Sequence, residues 1–480
     1  MPQISWSKIL RTFPCFFRPL PDHSRKWGNG TPLSNPLVLL LSVALSSCGG
    51  GGGGGGSGTP ALPVSIATLL PWTWIGGSSS YNQQTANSPE ARMSSATWTD
   101  TSGNFWMFGG ETVYTYDIND LWKYNPNTQI WTLESLSSPL NQNQPGLYGT
   151  QNTPSTNNLP GARNDSVSWT DPAGNLWLFG GYGYASSNSP GDLNDLWEYA
   201  PAAKTWTWVG GSTQTNQFGS YSSTEIPGAR LASVSWTDQS GNLWLFGGQG
   251  YATSGSPGEL NDLWKYNPTT KTWVWIRGSS STNQLSTLSG TAASPGARHD
   301  SVAWTDSTGN LWLFGGQGYA ASGSLGELND LWKFTPGTAQ WTLIGSGNFL
   351  NQTGSYGTSQ TSSPTNLPGS RDSSVAWTDT SGNLWLFGGY GYDSTGTLGE
   401  LNDLWKFNLG TQQWTWVNGS NQVNQLGSYG SQPGTPGMPG ARSSANAWFS
   451  STIGTSGSLW LFGGLEGSGN YLNDLWQYKP

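Results

Sequence analysis

Two polar side chains recur along the chain at a nearly constant spacing. Six arginines end short turn-like phrases 67 to 73 residues apart, and each is followed by an aspartate inside an Asn-Asp-Leu-Trp phrase. An arginine and a carboxylate can form a charge-assisted pair. Because both occur six times, we expect them to fix loops or to bridge neighbouring repeat units rather than to form one active site. The arginines are Arg92, Arg163, Arg230, Arg298, Arg371 and Arg442.

Other residues that could perform catalysis occur singly. The repeats contain one histidine, His299, at the position that Asn164 and Leu231 occupy in other units, so we expect an ordinary loop residue. No nucleophilic serine motif, phosphate-binding loop or paired zinc ligands occur. We therefore predict no cofactor and no metal, and the sequence assigns no catalytic residue. The solitary acids that a fold could still bring together are Glu111, Glu134, Glu225 and Glu466.

The elements that must position these residues are short strands. Each unit contains four aromatic-rich runs separated by Gly, Pro, Asn and Asp, a pattern typical of consecutive antiparallel strands. In the second run of one unit, Leu176 and Leu178 alternate with Trp177 and Phe179. Both faces of that strand must therefore be covered, as when blades stack face against face. The sequence predicts an all-β fold, a six-bladed β-propeller with four antiparallel strands per blade.

The two ends of the repeat array predict how the ring closes. The sixth unit stops at Pro480 without a fourth strand, whereas residues 71–77 precede the first unit and match a fourth strand. We expect this N-terminal strand to join the last blade, which removes the free sheet edges of an open array. The 28 tryptophans from Trp72 onward fall on predicted strand positions, which favours core packing over ligand binding.

The repeated phrases resemble kelch repeats. Phe-Gly-Gly at the end of strand 2, Asn-Asp-Leu-Trp at the start of strand 3 and a Trp in strand 4 form the skeleton of that motif, and the likeness covers about 85 % of the chain. Galactose oxidase is an enzyme whose central domain is similar. The copper-radical site of that enzyme implies a Cys-linked Tyr and His ligands, but the repeats contain no Cys and one His. We therefore exclude this copper chemistry.

Long loops indicate where a ligand would bind. Loops between strands 2 and 3, and between strand 4 and the next strand 1, emerge on the same face because successive strands alternate in direction. These loops carry Tyr, Asn, Ser and Gly, whose rings and amides suit sugars or peptides. The alternative is loop filler that packs over its neighbours. The candidate ligand-binding residues are Tyr182, Tyr184, Tyr251, Tyr319, Tyr390, Tyr392, Tyr356 and Tyr429.

The charge of the repeats argues against nucleic acid as a partner. Of 19 basic and 27 acidic side chains, five basic ones and one acid lie in residues 1–47. The remainder therefore carries 14 basic and 26 acidic side chains, a net charge of −12. Such a surface repels phosphate backbones but leaves neutral polar ligands open.

The N-terminal segment predicts export and lipidation. A basic stretch precedes an apolar run at 36–47 that is too short for an ordinary transmembrane helix, and Leu45-Ser46-Ser47-Cys48 and eight glycines follow. This order resembles a bacterial lipoprotein signal, with a general secretory signal as the alternative. We expect a signal at 1–47, lipidated Cys48 and a flexible tether at 48–70, and a propeller at 71–480. The resemblance implies a lipid-anchored protein of the bacterial cell envelope, at the outer membrane.

Two functions follow as expectations. The first is a monomeric, non-catalytic kelch propeller, facing the surface or the periplasm, that acts as an interaction or carbohydrate-binding module for a protein or a glycan. The alternative is a sugar-modifying periplasmic enzyme similar to the kelch-type sialic-acid mutarotase. An enzyme would need acid and base groups that converge at one mouth of the axial channel and break the sixfold symmetry.

Overall fold

The computed structural model describes residues 72–83, 87–134, 142–222, 224–345, 349–451 and 457–480. Contacts separate a unit Met1–Ser65 from a unit Ile66–Pro480, and all described residues belong to the second. The predicted signal, Cys48 and the glycine tether lie outside the described residues. Within the described ranges, no helix is long and apolar enough to cross a membrane.

Thirty-seven strands make up the regular structure of the described residues. In chain order the first 21 are β1 (Trp72–Gly76), β2 (Arg92–Met93), β3 (Ala96–Thr99), β4 (Phe105–Phe108), β5 (Glu111–Thr112), β6 (Leu121–Asn125), β7 (Ile130–Leu133), β8 (Arg163–Asn164), β9 (Val167–Thr170), β10 (Leu176–Phe179), β11 (Tyr182–Tyr184), β12 (Pro190–Asp192), β13 (Leu196–Ala200), β14 (Thr205–Gly210), β15 (Arg230–Leu231), β16 (Val234–Thr237), β17 (Leu243–Phe246), β18 (Gln249–Gly250), β19 (Gly258–Glu259), β20 (Leu263–Asn267) and β21 (Thr272–Arg277).

The remaining strands continue the same pattern. They are β22 (Arg298–His299), β23 (Val302–Thr305), β24 (Leu311–Phe314), β25 (Gln317–Tyr319), β26 (Leu325–Glu327), β27 (Leu331–Thr335), β28 (Gln340–Ile344), β29 (Arg371–Asp372), β30 (Val375–Thr378), β31 (Leu384–Tyr392), β32 (Leu398–Asn408), β33 (Gln413–Asn418), β34 (Thr435–Gly437), β35 (Asn446–Ser450), β36 (Ser458–Leu465) and β37 (Tyr471–Tyr478).

The longer strands pair into antiparallel four-stranded groups that we number as blades. Blade 1 contains β3, β4, β6 and β7; blade 2 contains β9, β10, β13 and β14; blade 3 contains β16, β17, β20 and β21. Blade 4 contains β23, β24, β27 and β28; blade 5 contains β30 to β33; blade 6 contains β35, β36, β37 and β1. The short strands pair with one another, or with extensions of these strands, in the loop regions. The predicted all-β propeller with antiparallel strands is confirmed.

Apolar side chains fill the spaces between blades. All four residues of β10 are buried, as a strand covered on both faces requires. Each of the hydrophobic clusters takes its side chains from two neighbouring blades. One cluster joins blade 6 to blade 1, where the rings of Trp448 and Phe105 stack with centroids 5.4 Å apart. All 28 tryptophans from Trp72 onward lie in strands, and each belongs to a hydrophobic cluster or packs against one, which confirms the prediction that they pack the core.

Both ends of the repeat array meet in blade 6. Trp72 pairs with Tyr478 and Trp74 pairs with Trp476, so β1 and β37 form the seam that the sequence predicts. The other edge of β1 pairs with β34, which comes from the loop before blade 6. The closing strand is therefore hydrogen-bonded on both sides and offers no free edge there.

The repeated arginines and aspartates form buried ion pairs. In blade 2, Arg163 donates two parallel hydrogen bonds to Asp195 at 2.7 and 2.8 Å, and Asp195 also accepts from the indole of Trp197. Equivalent pairs occur in the other blades, and each arginine is at most 1 % exposed. Both partners belong to the same blade. The expectation that these pairs fix loops is therefore confirmed. The alternative expectation, that they bridge neighbouring blades, is wrong.

Two glycine phrases are needed for the backbone path between strands. Gly180 and Gly181, which end strand 2 of blade 2, have φ of 65° and 97°, a region that favours glycine. Gly161, in the phrase before Arg163, lies against the carbonyl of Tyr184, and a Cβ there would be 1.9 Å from that oxygen. The Gly-Gly pair therefore supplies positive φ where strand 2 ends, and Gly161 allows the close approach of two chain segments.

Candidate functional site

Six segments that enter strand 1 form a closed ring around the axis of the propeller. Two residues after each repeated arginine stands a residue that we call a corner. Each corner donates its backbone N–H to the carbonyl of the corner in the preceding blade at 2.8 to 3.0 Å, and the first donates to the last. All corners have φ between 50° and 55°, which is uncommon for non-glycine residues and clusters at functional sites. The corners are Ser94, Asp165, Ala232, Asp300, Ser373 and Ser444.

A cavity of about 150 Å³ opens inside this ring, and we call it the cup. The corners and the residue that follows each of them line the cup. In five blades the following residue is a serine whose hydroxyl already donates to a strand-2 glycine, as from Ser166 to Gly180 at 2.8 Å. The polar groups that differ from blade to blade in the cup are therefore those of the corner side chains. Asp165 and Asp300 are the charged residues among those lining it, and both are partly exposed.

The axial channel continues beyond the cup as a second cavity of about 270 Å³. Its described lining is Thr, Ser, Ala and Trp, with no charged side chain. Several of these hydroxyls are bonded to the backbone of the preceding blade, as from Ser168 to Thr97 at 2.8 Å. Among the described residues that line these two cavities, the charged ones therefore lie in the cup.

His299 connects the cup to a buried glutamate. Its Nδ1 lies 2.7 Å from the carboxylate of Glu259 in blade 3, and its Nε2 lies 3.8 Å from the carboxylate of Asp300. Burial alone would lower the pKa of His299, but the Glu259 carboxylate outweighs burial and raises that pKa to about 10. The imidazole is therefore a fixed positive charge between two carboxylates. The expectation that His299 is an ordinary loop residue is wrong.

Glu327 and Asp372 form a carboxyl pair between blades 4 and 5. Burial, and after it the neighbouring carboxylate of Asp372, raises the pKa of Glu327 well above its ordinary value. Gln317 donates to Oε1 of Glu327 at 2.8 Å. The protonated form of the Glu327 carboxyl is therefore favoured relative to an exposed glutamate.

Blades 1 and 2 carry a third acidic group. Asn164 donates to Asp117 at 2.7 Å, and the hydroxyl of Tyr471 donates to Glu111. Burial raises the pKa of Asp117 to about 8 despite the Asn164 bond. Burial also raises the pKa of Glu111 above its ordinary value, against the Tyr471 bond. The nearby Asp165 also raises the pKa of both Glu111 and Asp117, so it lies close to these two side chains.

The loop asparagines hold these acids in place. The residue before each Leu-Asn-Asp or Ile-Asn-Asp phrase has its backbone N–H bonded to a loop asparagine, as Asp117 to Asn143 at 3.0 Å and Glu259 to Asn283 at 2.9 Å. Both asparagines have positive φ, of 55° and 62°. The repeated loop Asn is therefore scaffold, and it does not extend the set of ligand-binding groups.

The candidate tyrosines divide into two groups. Tyr356 and Tyr429 donate their hydroxyls to Asp403 and Asp474 of the buried ion pairs at 2.7 and 2.6 Å, and Tyr356 is only 5 % exposed. These two rings pack on tryptophans, which corrects the expectation that they face a ligand. The other candidate tyrosines are at least partly exposed on the long-loop face, and their role in ligand binding stays a prediction. They are Tyr182, Tyr184, Tyr251, Tyr319, Tyr390 and Tyr392.

The solitary acids do not come together. Glu111 lies near the cup, as described. Glu134 pairs with Lys204 at 2.6 Å, and Glu225 accepts the backbone N–H of Trp275 at 2.9 Å on the outer strand of blade 3. Glu466 accepts from Asn470 in a loop of blade 6. Three of the four therefore have local partners away from the cup.

The sequence did not single out Asp165, Asp300, Asp117, Glu259 or Asp372. A signal for the first two exists in the repeats. When the units are aligned on their arginines, the corner position contains Ser, Asp, Ala, Asp, Ser and Ser. This position changes chemistry although the arginine two residues before it is constant and the residue after it is serine in five of the six units.

No protein-family model matches the sequence, and no curated protein matches it significantly. Among solved structures, one described as "Structure of YjhT" aligns over 81 % of this chain and 95 % of that chain, with a TM-score of 0.49 and 14 % identity. Among the described residues, no group of three His, Cys, Asp or Glu side chains is arranged to hold a metal ion.

Proposed function

We propose that the chain is a kelch-type propeller that acts as a carbohydrate-binding module through its long-loop face. The observation that carries this proposal is the combination of a polar cup and partly exposed aromatic rings on one face. Hydroxyls and carboxylates can bond sugar hydroxyls, and aromatic planes can stack on sugar rings. The described rings include Tyr182, which is 39 % exposed, and Phe218, which is 51 % exposed and contacts Tyr251.

A glycan array tests this function directly. The full chain, purified in mild detergent, should retain a defined set of neutral or amino-bearing glycans. Variant Tyr182→Ala should weaken that binding by several fold, because a stacked ring contributes of order 1 kcal/mol. Ile130→Ala is the control, since Ile130 is 59 % exposed at the start of β7, the outer strand of blade 1, away from the long loops. An array without bound glycans would refute the proposal.

A sugar-modifying enzyme is the second candidate, and one observation favours it. Glu259, His299 and Asp300 form a carboxylate–imidazole–carboxylate array that ends at the cup and that the other blades lack. Such an array can orient Asp300 as a proton acceptor. The test is the rate at which sugar anomers interconvert, followed by NMR, with and without the full chain. Rates that match the buffer for every sugar tested would exclude this candidate.

The envelope location is part of the same proposal. We propose that Cys48 is lipidated and that the glycine tether holds the monomeric propeller at the outer membrane. The support is the order of basic stretch, apolar run, Ser-Ser-Cys and glycines in the sequence. Cells that express the chain should incorporate labelled palmitate into it, and Cys48→Ala should abolish the label. A label that persists in Cys48→Ala would contradict lipidation at this residue.

A further inference from the structure

Part of the loop before blade 2 covers the free edge of the outer strand of that blade, β14. The backbone N–H groups of Asn152 and Ser155 donate to the carbonyls of Trp208 and Trp206, at 2.8 and 3.1 Å respectively. Bonds of this kind are the ones that a further strand would make along the edge. We call this segment, residues 149–158, the blade 2 strap.

Blade 5 is covered in the same way by residues 357–366, the blade 5 strap. Gln360 and Ser363 donate their backbone N–H groups to the carbonyls of Trp416 and Trp414, at 2.7 and 3.4 Å respectively. Trp414 is 4 % exposed, as is its counterpart in blade 2. Both straps consist of Gly, Ser, Thr, Asn, Gln and Pro. The two copies show that a polar polypeptide segment, bonded through its backbone, fits beside an outer strand.

The loop before blade 3 lacks most of such a strap. In all three loops a tyrosine hydroxyl donates to the aspartate of the buried ion pair, so the loops can be aligned. In blade 2, ten residues separate Tyr148 from Leu159, which forms a bridge at the base of the loop. In blade 3, four residues separate Tyr221 from Ile226, which forms the equivalent bridge. The loop before blade 3 is therefore six residues shorter than its counterpart.

The outer strand of blade 3, β21, is open on the side that the straps cover in blades 2 and 5. No described residue pairs with this edge as a strand or as a bridge. Trp273, the counterpart of Trp206, is partly exposed instead of buried. The register of β21 against its neighbour is that of β14, so the carbonyls of Trp273 and Trp275 lie on the open edge.

A groove of about 550 Å³ lies beside this edge, between blades 2 and 3. Its apolar lining includes Val209, Ile226 and Trp273. Glu225 also lines the groove, and it accepts the backbone N–H of Trp275 at 2.9 Å. This carboxylate therefore covers one donor of the edge and none of its carbonyls. The volume is within the range of about 300–1,000 Å³ that is typical of ligand sites.

The groove continues the interface that the blade 2 strap already makes. Gln151 of that strap is part of the groove lining. Lys271 of blade 3, which also lines the groove, donates to the side chain of Asn152 in the strap at 2.8 Å. A segment placed on β21 would therefore lie next to the strap on β14, on a surface that already binds polypeptide.

We propose that the open edge of β21 is a docking site for a segment of a partner polypeptide that is rich in Ser, Thr and Asn. This segment adds to blade 3 in the position that the straps hold in blades 2 and 5. Strand addition to an exposed sheet edge takes its affinity from main-chain hydrogen bonds. The inference does not depend on the proposed carbohydrate binding, because none of the candidate tyrosines lines the groove.

A peptide with the sequence of the blade 2 strap tests the docking site. The full chain in mild detergent is titrated with the labelled peptide 149–159, and binding is followed by fluorescence anisotropy. The control is the same peptide N-methylated at the residues that correspond to Asn152 and Ser155, which removes the two edge-bonding donors. We expect the first peptide to saturate below about 1 mM, at the weak end of the affinity scale. The control should bind at least tenfold more weakly.

Hydrogen exchange locates the bound peptide on the unaltered chain. Exchange should slow in β21 and stay unchanged in β14 and β33, whose edges are already covered. Equal affinity of the two peptides, no binding up to about 1 mM, or protection that omits β21 overturns the proposal. These outcomes need no variant that could fail to fold.

A loop exchange then assigns binding to the missing strap. Replacement of residues 222–225 by residues 149–158 gives blade 3 a strap of its own. This variant should lose peptide binding at least tenfold and should melt at or above the wild-type temperature. The control receives a Gly-Ser segment of the same length, which stays flexible and should leave binding unchanged. Peptide binding that survives in the strap variant, with slowed exchange in its β21, overturns the proposal.

Discussion

Trp74 offers a test of the seam with an internal control. Its side chain is 8 % exposed, its indole donates to the carbonyl of Gly76 at 2.7 Å, and its ring meets Tyr429 edge-on at 5.2 Å. Trp416 has the same surroundings in blade 5, with Asn418 at 2.9 Å and Tyr356 edge-on at 5.2 Å. Removal of a buried Trp side chain costs about 3–5 kcal/mol. We expect Trp74→Ala to lower the free energy of unfolding by that amount. Trp416→Ala should lower it by the smaller value of this range, because Trp416 is half-buried.

The expected shift in melting temperature follows from the size of the folded unit. At about 2.1 cal/mol/K per residue, the unit Ile66–Pro480 has an unfolding entropy of roughly 0.9 kcal/mol/K. A loss of 3–5 kcal/mol then lowers the melting temperature by about 3–6 °C. Calorimetry measures this shift in both variants.

The two variants should differ in where the protein opens. Trp74 sits on the strand that joins the two chain ends, so Trp74→Ala should speed hydrogen exchange in β37, where Trp476 and Tyr478 pair with β1. Trp416→Ala should leave β37 protected, since blade 5 is continuous in sequence. A Trp74→Ala protein that melts with wild type, or that shows wild-type exchange in β37, would refute the role of this strand in closure.

Three further outcomes are expected. Arg230→Met should lose about 3–5 kcal/mol in urea unfolding, because it leaves the carboxylate of Asp262 buried without its partner; wild-type stability would contradict this. Burial raises the pKa of Asp192 to about 7, so the folded protein holds that proton where the unfolded chain, near 3.9, has released it. The contribution of Asp192 to stability should therefore be full below about pH 4 and fall by up to roughly 4 kcal/mol towards pH 8, and Asp192→Asn should remove this part of the pH dependence of melting. Ala232→Gly should leave the free energy of unfolding unchanged or raise it by up to about 1 kcal/mol, because Ala232 has φ of 52°, which glycine adopts without strain. An Ala-to-Gly change usually lowers stability, so a clear loss in calorimetry would argue against strain at the corners.

The fold was predictable because its determinants repeat. Runs such as Leu176–Phe179 are apolar on both alternating faces, and only a strand between two neighbours satisfies that pattern. The seam was predictable because Trp72 and Trp74 match a fourth strand that the last unit lacks. Residues equivalent to Arg163 and Asp195 recur in every unit, and this repetition predicted a scaffold role. It did not predict that both partners belong to one blade, since sequence spacing does not specify which strand ends meet.

The site was predictable only in its location. The long loops indicated which face could bind a ligand. The sequence did not distinguish Tyr392, which is partly exposed, from Tyr356, which is buried. That difference depends on which side of the loop faces the ion pair. Asp165 and Asp300 carry no motif, and His299 gains its partner from a glutamate 40 residues away in another blade. Such contacts arise from blade stacking, which no local pattern records.

The closed ring of corner hydrogen bonds has an electrostatic consequence. All six bonds run in the same sense around the axis, from each blade to the preceding one. Peptide dipoles arranged head to tail on a circle sum to nearly zero, whereas those of a helix add along its axis. Each bond can also polarise the next, since the chain of donors and acceptors has no end. The backbone therefore contributes rigidity without a net field, and the potential that a solute feels at the axis depends on which side chains occupy the six corners.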